Sequence, residues 1–184
     1  MAEFEPAVAI TLQHEGGFHS DVTGEIVNHG VTLTFVRSSG YKPLADDNFI
    51  RNLSVEEASE IYRTYFWNRY RIFNIADQDL ANKVFDLTVN MGPGGPNHTG
   101  ALPLLQSAAN ACGGKCEVDG VLGPESIAEI NALDGEKLLA QYKQLAMQRY
   151  TQIAKRNPQL AGDLEGWLLR LYSEPPALPT ALPE

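Results

Sequence analysis

The segment 14–19 (HEGGFH) places a single carboxylate, Glu15, at the end of an amphipathic stretch. Gly16 and Gly17 follow, and the absence of side chains there lets a bulky ligand approach the backbone. A helix C-terminus disfavours negative charge and burial among apolar neighbours adds a desolvation cost, so both effects favour the protonated carboxyl. Such an acid is what a glycosidase uses to protonate a leaving-group oxygen. The alternative is a solvent-exposed glutamate at a helix end.

A second group is needed if a water molecule is to be activated on the opposite face of a sugar. Asp21 and Glu25 are the nearest acids after Glu15, and both lie in the stretch that follows the first helix. The two carboxyls of an inverting glycosidase lie about 6.5–9.5 Å apart, and those of a retaining enzyme about 5 Å apart. Each candidate is also an ordinary loop acid, so both stay open as the second catalytic group.

Three histidines near this segment, His14, His19 and His29, raise the question of a metal site. A zinc-protease helix carries two histidines four residues apart with a glutamate beside the first. His14 and His19 are five residues apart, which turns them by roughly 140° on a helix of 3.6 residues per turn. We therefore predict no metal, and nothing in the sequence calls for a cofactor. One cysteine pair, Cys112 and Cys116, is weak evidence for zinc, and its bridging stays open.

The elements that must position Glu15 are mainly helical, because apolar residues recur at helical spacing along most of the chain. A stripe within residues 4–12 leads into Glu15, whereas the glycines and β-branched residues of 19–34 indicate a loop or short hairpin. Ser54 and Glu57 fit a capping box, and Asp134 fits an N-cap. We predict a mostly α fold of six to eight helices, with at most a short β-hairpin after the first helix. Phe85, Tyr142 and Trp167 are assigned to the core.

Composition and charge narrow the function classes. The chain has 184 residues, 43% of them hydrophobic, which suits one folded core. Its 14 Lys+Arg and 23 Asp+Glu give a net charge of −9, which disfavours binding to nucleic acid or to an anionic membrane surface. The sequence holds no run of 18 apolar residues, so we expect no membrane insertion. The N-terminal residues lack a basic region followed by an apolar stretch, so we expect no cleaved secretory signal.

Several short motifs in order resemble the glycoside hydrolase family 108 muramidases, lysozyme-like enzymes found among phage endolysins and secretion-activator proteins. The motifs extend over roughly residues 4–172 and are EGGF at 15–18, NHGVT at 28–32, YFW at 65–67, FDLTVNMGPG at 85–94, LQ at 105–106, DGVLGP at 119–124 and GWLLR at 166–170. The resemblance implies a lysozyme-like helical fold. It also implies that Glu15 is the catalytic acid, cleaving the β-1,4 bond between N-acetylmuramic acid and N-acetylglucosamine.

The resemblance also suggests an organisation of the chain and a set of substrate-binding residues. We expect a catalytic region at 1–78, a predicted peptidoglycan-binding helical region at 79–133, C-terminal helices on the same core at 134–172 and a Pro-rich flexible tail at 173–184. The candidates for contacts to peptidoglycan glycan strands are Gly16, Gly17, Phe18, Asn28, Thr32 and Asn90. Asn90 has an alternative role, which is to cap its own helix.

One loop departs from the family pattern. Family members usually carry Asp-x-Gly-Gly-x-Thr before the Asn-x-Gly element, whereas this chain has VTGEIV at 22–27, with Val27 in place of the threonine. A hydroxyl that could orient a water molecule is therefore missing there. Either Asp21, Thr23, Glu25 or Thr32 takes over, or the activity is weak or altered.

Three functions follow as hypotheses. The first is a monomeric muramidase that is made in the cytoplasm and reaches the cell wall through holin-type release or a dedicated secretion route. The second is a peptidoglycan-binding protein whose hydrolase site has decayed, as the altered loop suggests. The third is a structural module of a phage particle or secretion machine.

Overall fold

The computed structural model describes residues 1–20, 24–95 and 99–173, and within these ranges the protein is mostly α, as predicted. The α-helices are α1 (Phe4–Glu15), α2 (Leu33–Ser38), α3 (Asp47–Arg51), α4 (Val55–Tyr62), α5 (Gln78–Met91), α6 (Ala101–Ala111), α7 (Pro124–Asn131), α8 (Gly135–Arg156) and α9 (Leu164–Tyr172). A π-helical segment, Arg63–Asn68, continues α4, and short 3₁₀ turns cover Ile72–Asn74 and Pro158–Asp163.

The described ranges hold more elements than the sequence predicted, with nine α-helices where six to eight were expected and three strands where a hairpin was the upper limit. Two of the helices, α2 and α3, have only six and five residues. Elements of one or two turns are too short to display a periodic apolar stripe, which is why the sequence pattern missed them.

A small antiparallel sheet follows α1. It consists of β1 (His19–Ser20), β2 (Ile26–Asn28) and β3 (Val31–Thr32), in the order β1-β2-β3. A two-residue turn, His29-Gly30, joins β2 to β3, and both turn residues have positive φ, 51° and 76°. Positive φ at both central positions is the requirement of a type I′ hairpin turn, which matches the twist of the flanking strands.

Local capping signals set the beginnings of several helices as the sequence predicted. The Ser54 hydroxyl accepts a hydrogen bond from the Glu57 backbone N–H, and the Glu57 carboxylate accepts one from the Ser54 N–H. The Asp134 side chain accepts from the Lys137 N–H at the start of α8. These bonds satisfy N–H groups that have no partner within the helix.

One continuous core joins the two halves of the chain. The apolar faces of α1, α5, α6 and α8 contribute to a single cluster, with α5 packed against the other three. Phe85 and Tyr142 are fully buried in it, as predicted, and Trp67 is buried beside Phe85. Trp167 is only partly buried at the edge of this core, so its assignment to the interior was wrong in part.

Two further predictions have structural outcomes. In the described part of the chain, no helix combines the length and the apolar character needed to cross a membrane. Cys112 and Cys116 are free thiols rather than a bridge. Asp21, Thr23 and the tail from residue 174 onward lie outside the described residues, so the predictions made for them stay predictions.

Candidate active site

Glu15 is the last residue of α1 and borders a cavity of about 260 Å³. Its side chain is 18% exposed. The cavity walls come from β3, α2, α4, the π-helical segment and the end of α5, and they consist of Gly30, Val31, Thr32, Phe35, Ile61, Tyr62, Phe66, Val89 and Asn90. The carboxylate is therefore partly enclosed, by side chains of other elements rather than by apolar neighbours on its own helix.

The His29-Gly30 turn lies directly against Glu15, and this close approach explains the glycine of the NHG motif. A Cβ atom at Gly30 would overlap the Tyr62 hydroxyl and would lie 2.5 Å from Glu15 Oε2. The Tyr62 hydroxyl donates a hydrogen bond of 2.8 Å to the His29 carbonyl and so fixes the turn. Glycine is needed at position 30 both for its positive φ and for this close approach.

The other carboxylate oxygen of Glu15 is held by an arginine from the far end of the chain. Arg170 Nη2 lies 2.8 Å from Glu15 Oε1 and 2.8 Å from Asp86 Oδ1, while Arg170 Nε lies 3.0 Å from the same Asp86 oxygen. One guanidinium on α9 thus contacts two carboxylates, one on α1 and one on α5. This positive charge beside Glu15 was not predicted from the sequence.

Asp86 is the centre of a buried charged cluster, which we call the Asp86 cluster and define as Asp86, Arg170, Lys83 and His14. Asp86 is fully buried, and its Oδ1 lies 3.0 Å from His14 Nδ1. Lys83 Nζ lies 3.6 Å from Asp86 Oδ2 and donates a hydrogen bond of 2.8 Å to the Arg170 carbonyl. Among the described residues, Asp86 Oδ2 has no hydrogen-bond partner.

The electrostatics of the Asp86 cluster favour the charged forms of Asp86 and Arg170. Burial alone would raise the pKa of the Asp86 carboxyl, but the hydrogen bond from His14 and the charge of Arg170 lower it to about 2. Burial alone would lower the pKa of the Arg170 guanidinium, and the neighbouring Asp86 and Glu15 carboxylates raise it. Burial lowers the pKa of Lys83 in spite of the nearby Asp86 charge.

A larger groove, of about 1130 Å³, lies on the other side of Asn90. Asn90 lines both this groove and the Glu15 cavity, and its side-chain oxygen accepts a hydrogen bond of 2.6 Å from the Tyr150 hydroxyl. Trp167 lines the groove and stacks on Tyr150, with ring centroids 5.1 Å apart. Arg170 also lines the groove, so the Asp86 cluster borders it.

Three of the predicted site residues come together in the structure, namely Glu15, Thr32 and Asn90, which line the same cavity. Thr32 also caps α2 by accepting a hydrogen bond from the Phe35 N–H. The Asn90 side-chain oxygen accepts a hydrogen bond from the Tyr150 hydroxyl, and its contact with substrate stays a prediction.

The other predicted site residues lie elsewhere. Asn28 is buried, and its amide donates to the Ile50 and Leu53 carbonyls, so it anchors the hairpin to α3. Glu25 accepts a hydrogen bond from the Thr34 N–H and lines a separate depression. Phe18 is 47% exposed and lies under the Arg51 guanidinium. Gly16 and Gly17 are open to solvent, with no atom near the position of a Cβ.

Four residues of this site were not predicted from the sequence, namely Asp86, Arg170, Lys83 and Tyr62. A signal for the first two is present in the sequence, because Asp86 interrupts the apolar run 84–87 and Arg170 interrupts the apolar run 167–171. A charge embedded in an apolar run is rarely buried unless it is paired. Opposite charges in two such runs predict a buried pair. The described residues contain no group of three or more His, Cys, Asp or Glu arranged to hold a metal ion.

The fold thus places a partly enclosed carboxylate, Glu15, at a helix end beside a cavity. Residues 8–92 match the glycosyl hydrolase 108 family, and residues 100–172 match the family described as a predicted peptidoglycan domain. These two matches confirm the resemblance to the glycosyl hydrolase 108 family, followed by a predicted peptidoglycan domain, that the sequence motifs carry.

Comparisons with individual proteins extend the fold assignment. The chain is similar to the structure of Brucella abortus SagA, with a TM-score of 0.71 and 20% sequence identity over 91% of this chain and 88% of that one. A comparison with curated proteins gives no match. The two family matches support a peptidoglycan hydrolase that acts on the cell wall.

Proposed function

We propose that this protein is an N-acetylmuramidase that cleaves the β-1,4 bond between N-acetylmuramic acid and N-acetylglucosamine, with Glu15 as the general acid. The observation that carries the proposal is the partial enclosure of Glu15 in a cavity beside Gly30 and Tyr62. Arg170 engages Oε1, so Oε2 is the oxygen that donates the proton to the bridging oxygen of the glycan. In this proposal, the protein reaches the cell wall either through a membrane lesion or through a secretion route.

Thr32 is our candidate for the residue that orients the attacking water. Of the four residues considered for this role, Thr32 lines the Glu15 cavity, whereas Glu25 lines a separate depression. The Thr32 oxygen accepts the Phe35 N–H, so its own O–H group is available to a ligand or water. A serine would keep this function, and a valine would remove it.

The glycan strand in this proposal crosses Glu15 and continues into the groove lined by Trp167. The cavity and the groove meet at Asn90, whose amide nitrogen can donate to a sugar while its oxygen is occupied by Tyr150. Aromatic rings bind the apolar faces of sugars, and one face of Trp167 is already covered by Tyr150. The opposite face is therefore the one offered to a sugar ring.

The proposal is tested by the release of reducing ends from purified peptidoglycan. Glu15→Gln keeps the shape of the side chain and removes the acidic proton, so we expect a loss of about 10²–10⁴-fold. Glu56→Gln, at an exposed position in the first turn of α4, is the matched control and should retain wild-type activity. Equal activity of the Glu15→Gln variant and the wild type would refute the proposal.

A binding protein without hydrolase activity is the second candidate. The observation that favours it is the position of Glu25, whose carboxylate engages the Thr34 N–H away from the Glu15 cavity. Retention of the wild type on insoluble peptidoglycan without the release of new reducing ends would support this candidate. Release of reducing ends that depends on Glu15 would exclude it.

A further inference from the structure

We propose that Arg170 is a positioning residue for Glu15 and that Asp86 is its permanent counter-ion, so that the C-terminal region completes the active site. This inference rests on the proposed function. Arg170 lies within the match to the predicted peptidoglycan domain, whereas Glu15 and Asp86 lie within the match to the glycosyl hydrolase family. Only 9% of the Arg170 side chain is exposed, so it is a fixed part of the site.

The Arg170 guanidinium makes more contacts with Asp86 than with Glu15. Arg170 uses both Nε and Nη2 toward Asp86, at 3.0 and 2.8 Å, but only Nη2 toward Glu15. Lys83 further fixes the backbone of Arg170 by donating to its carbonyl. Loss of the Glu15 contact therefore leaves Arg170 paired and its charge balanced.

A general acid beside a buried arginine changes its charge during the reaction, and the arginine needs a counter-ion in both states. Glu15 must be a neutral acid before proton transfer and a carboxylate after it. A buried guanidinium that depended on Glu15 alone would be left without a counter-ion in the acid form, at a large cost. Because Asp86 remains charged, Glu15 can take up and release its proton while Arg170 holds Oε1 and directs Oε2 toward the substrate.

The test is the pH dependence of kcat/KM on purified peptidoglycan, because a general acid loses activity as the pH rises through its own titration. Arg170 contacts Glu15 directly, and the charges of Tyr62 and Tyr150 would interact with it. Asp86 contacts Arg170, and Lys83 and His14 contact Asp86. Arg170→Met removes a positive charge, so the high-pH limb should move upward by about one pH unit. Asp86→Asn removes a negative charge, so the same limb should move downward.

Opposite displacements separate positioning from a general structural role, which would lower activity at every pH without moving the limb. Arg156→Met changes an exposed arginine at the end of α8 and should leave the profile unchanged. His14→Gln controls for titration of the histidine that contacts Asp86. The inference would be overturned if the high-pH limbs of Arg170→Met and Asp86→Asn moved in the same direction. It would also be overturned if neither limb moved.

If the Arg170→Met variant does not fold, the Arg170→Lys variant tests the same inference. Lysine retains the charge but cannot contact two carboxylates with a planar fork. We expect kcat to fall at least tenfold with KM and the high-pH limb near wild type, and unchanged kcat would overturn the inference. The result is separable from the proposed function, since Glu15→Gln reports on the general acid whether or not Arg170 positions it.

Discussion

Two buried polar clusters stabilise this protein, and they differ in charge and in location. The first is the Asp86 cluster beside Glu15. The second, which we call the Gln106 cluster, consists of Gln106, Asp119, Gly120, Val121 and Ser126. The Gln106 amide donates to Asp119 Oδ1 at 2.8 Å and to the Val121 carbonyl at 3.1 Å, and its oxygen accepts from the Gly120 N–H at 2.7 Å. A neutral side chain thus holds the DGVLGP turn.

The difference between the clusters indicates their roles. The Gln106 cluster uses the donors and the acceptor of one amide to fix a turn that precedes α7, which is a structural task. The Asp86 cluster buries several charges, leaves Asp86 Oδ2 without a hydrogen bond among the described residues and borders both Glu15 and the groove. Buried charge that is imperfectly satisfied is costly, so its presence next to a candidate catalytic acid points to function.

The largest effect should come from breaking the Asp86 cluster. Asp86→Asn leaves the buried charges of Arg170 and Lys83 without a carboxylate between them. We expect the free energy of unfolding at pH 7 to fall by about 3–5 kcal/mol. Urea denaturation followed by circular dichroism measures this. A loss below about 1 kcal/mol would show that the cluster contributes little to stability.

Acid should weaken the same cluster. The pKa of Asp86 is lowered from 3.8 to about 2, so its stabilising contribution is complete above pH 3.8 and is lost as the pH falls through about 2. The shift corresponds to roughly 2 kcal/mol. We expect the wild type to lose this amount between pH 4 and pH 2 in urea titrations. The Asp86→Asn variant should lose less over the same interval, and an identical loss would contradict the prediction.

Breaking the Gln106 cluster should affect stability without changing the chemistry. Gln106→Leu removes the donors to Asp119 and to the Val121 carbonyl and leaves the Gly120 N–H without its acceptor. We expect a loss of roughly 1–3 kcal/mol in the free energy of unfolding. The activity of the folded fraction on peptidoglycan, and its pH profile, should match the wild type. A displaced pH profile would contradict the assignment of a purely structural role to the Gln106 cluster.

The smallest effect is expected at the groove that the Asp86 cluster borders. Trp167→Ala removes the exposed ring face while leaving Glu15 and Arg170 in place. An aromatic stacking contact contributes about 1 kcal/mol, so we expect KM for soluble glycan fragments to rise about fivefold with kcat nearly unchanged. Leu44→Ala, at an exposed apolar position outside the groove, is the matched control. An unchanged KM would exclude the groove from substrate binding.

The sequence by itself determined the features that depend on neighbours a few residues apart. The stripe of α1 and the glycines after it placed Glu15 at a helix end, and the Ser54 and Asp134 caps were confirmed. These signals are local because a capping bond or a helical stripe spans only a few residues. The family motifs added the resemblance that the two family matches confirm.

Only the tertiary structure decided which residues surround Glu15. Asp86 and Arg170 lie 84 positions apart in the chain, and packing of α1, α5 and α9 brings both to Glu15. Packing also turned Asn28 inward to the Ile50 carbonyl of α3 and left Trp167 at the rim of a groove. A sequence pattern states which residue types are near in the chain, whereas the sharing of one guanidinium by two carboxylates depends on how three helices meet.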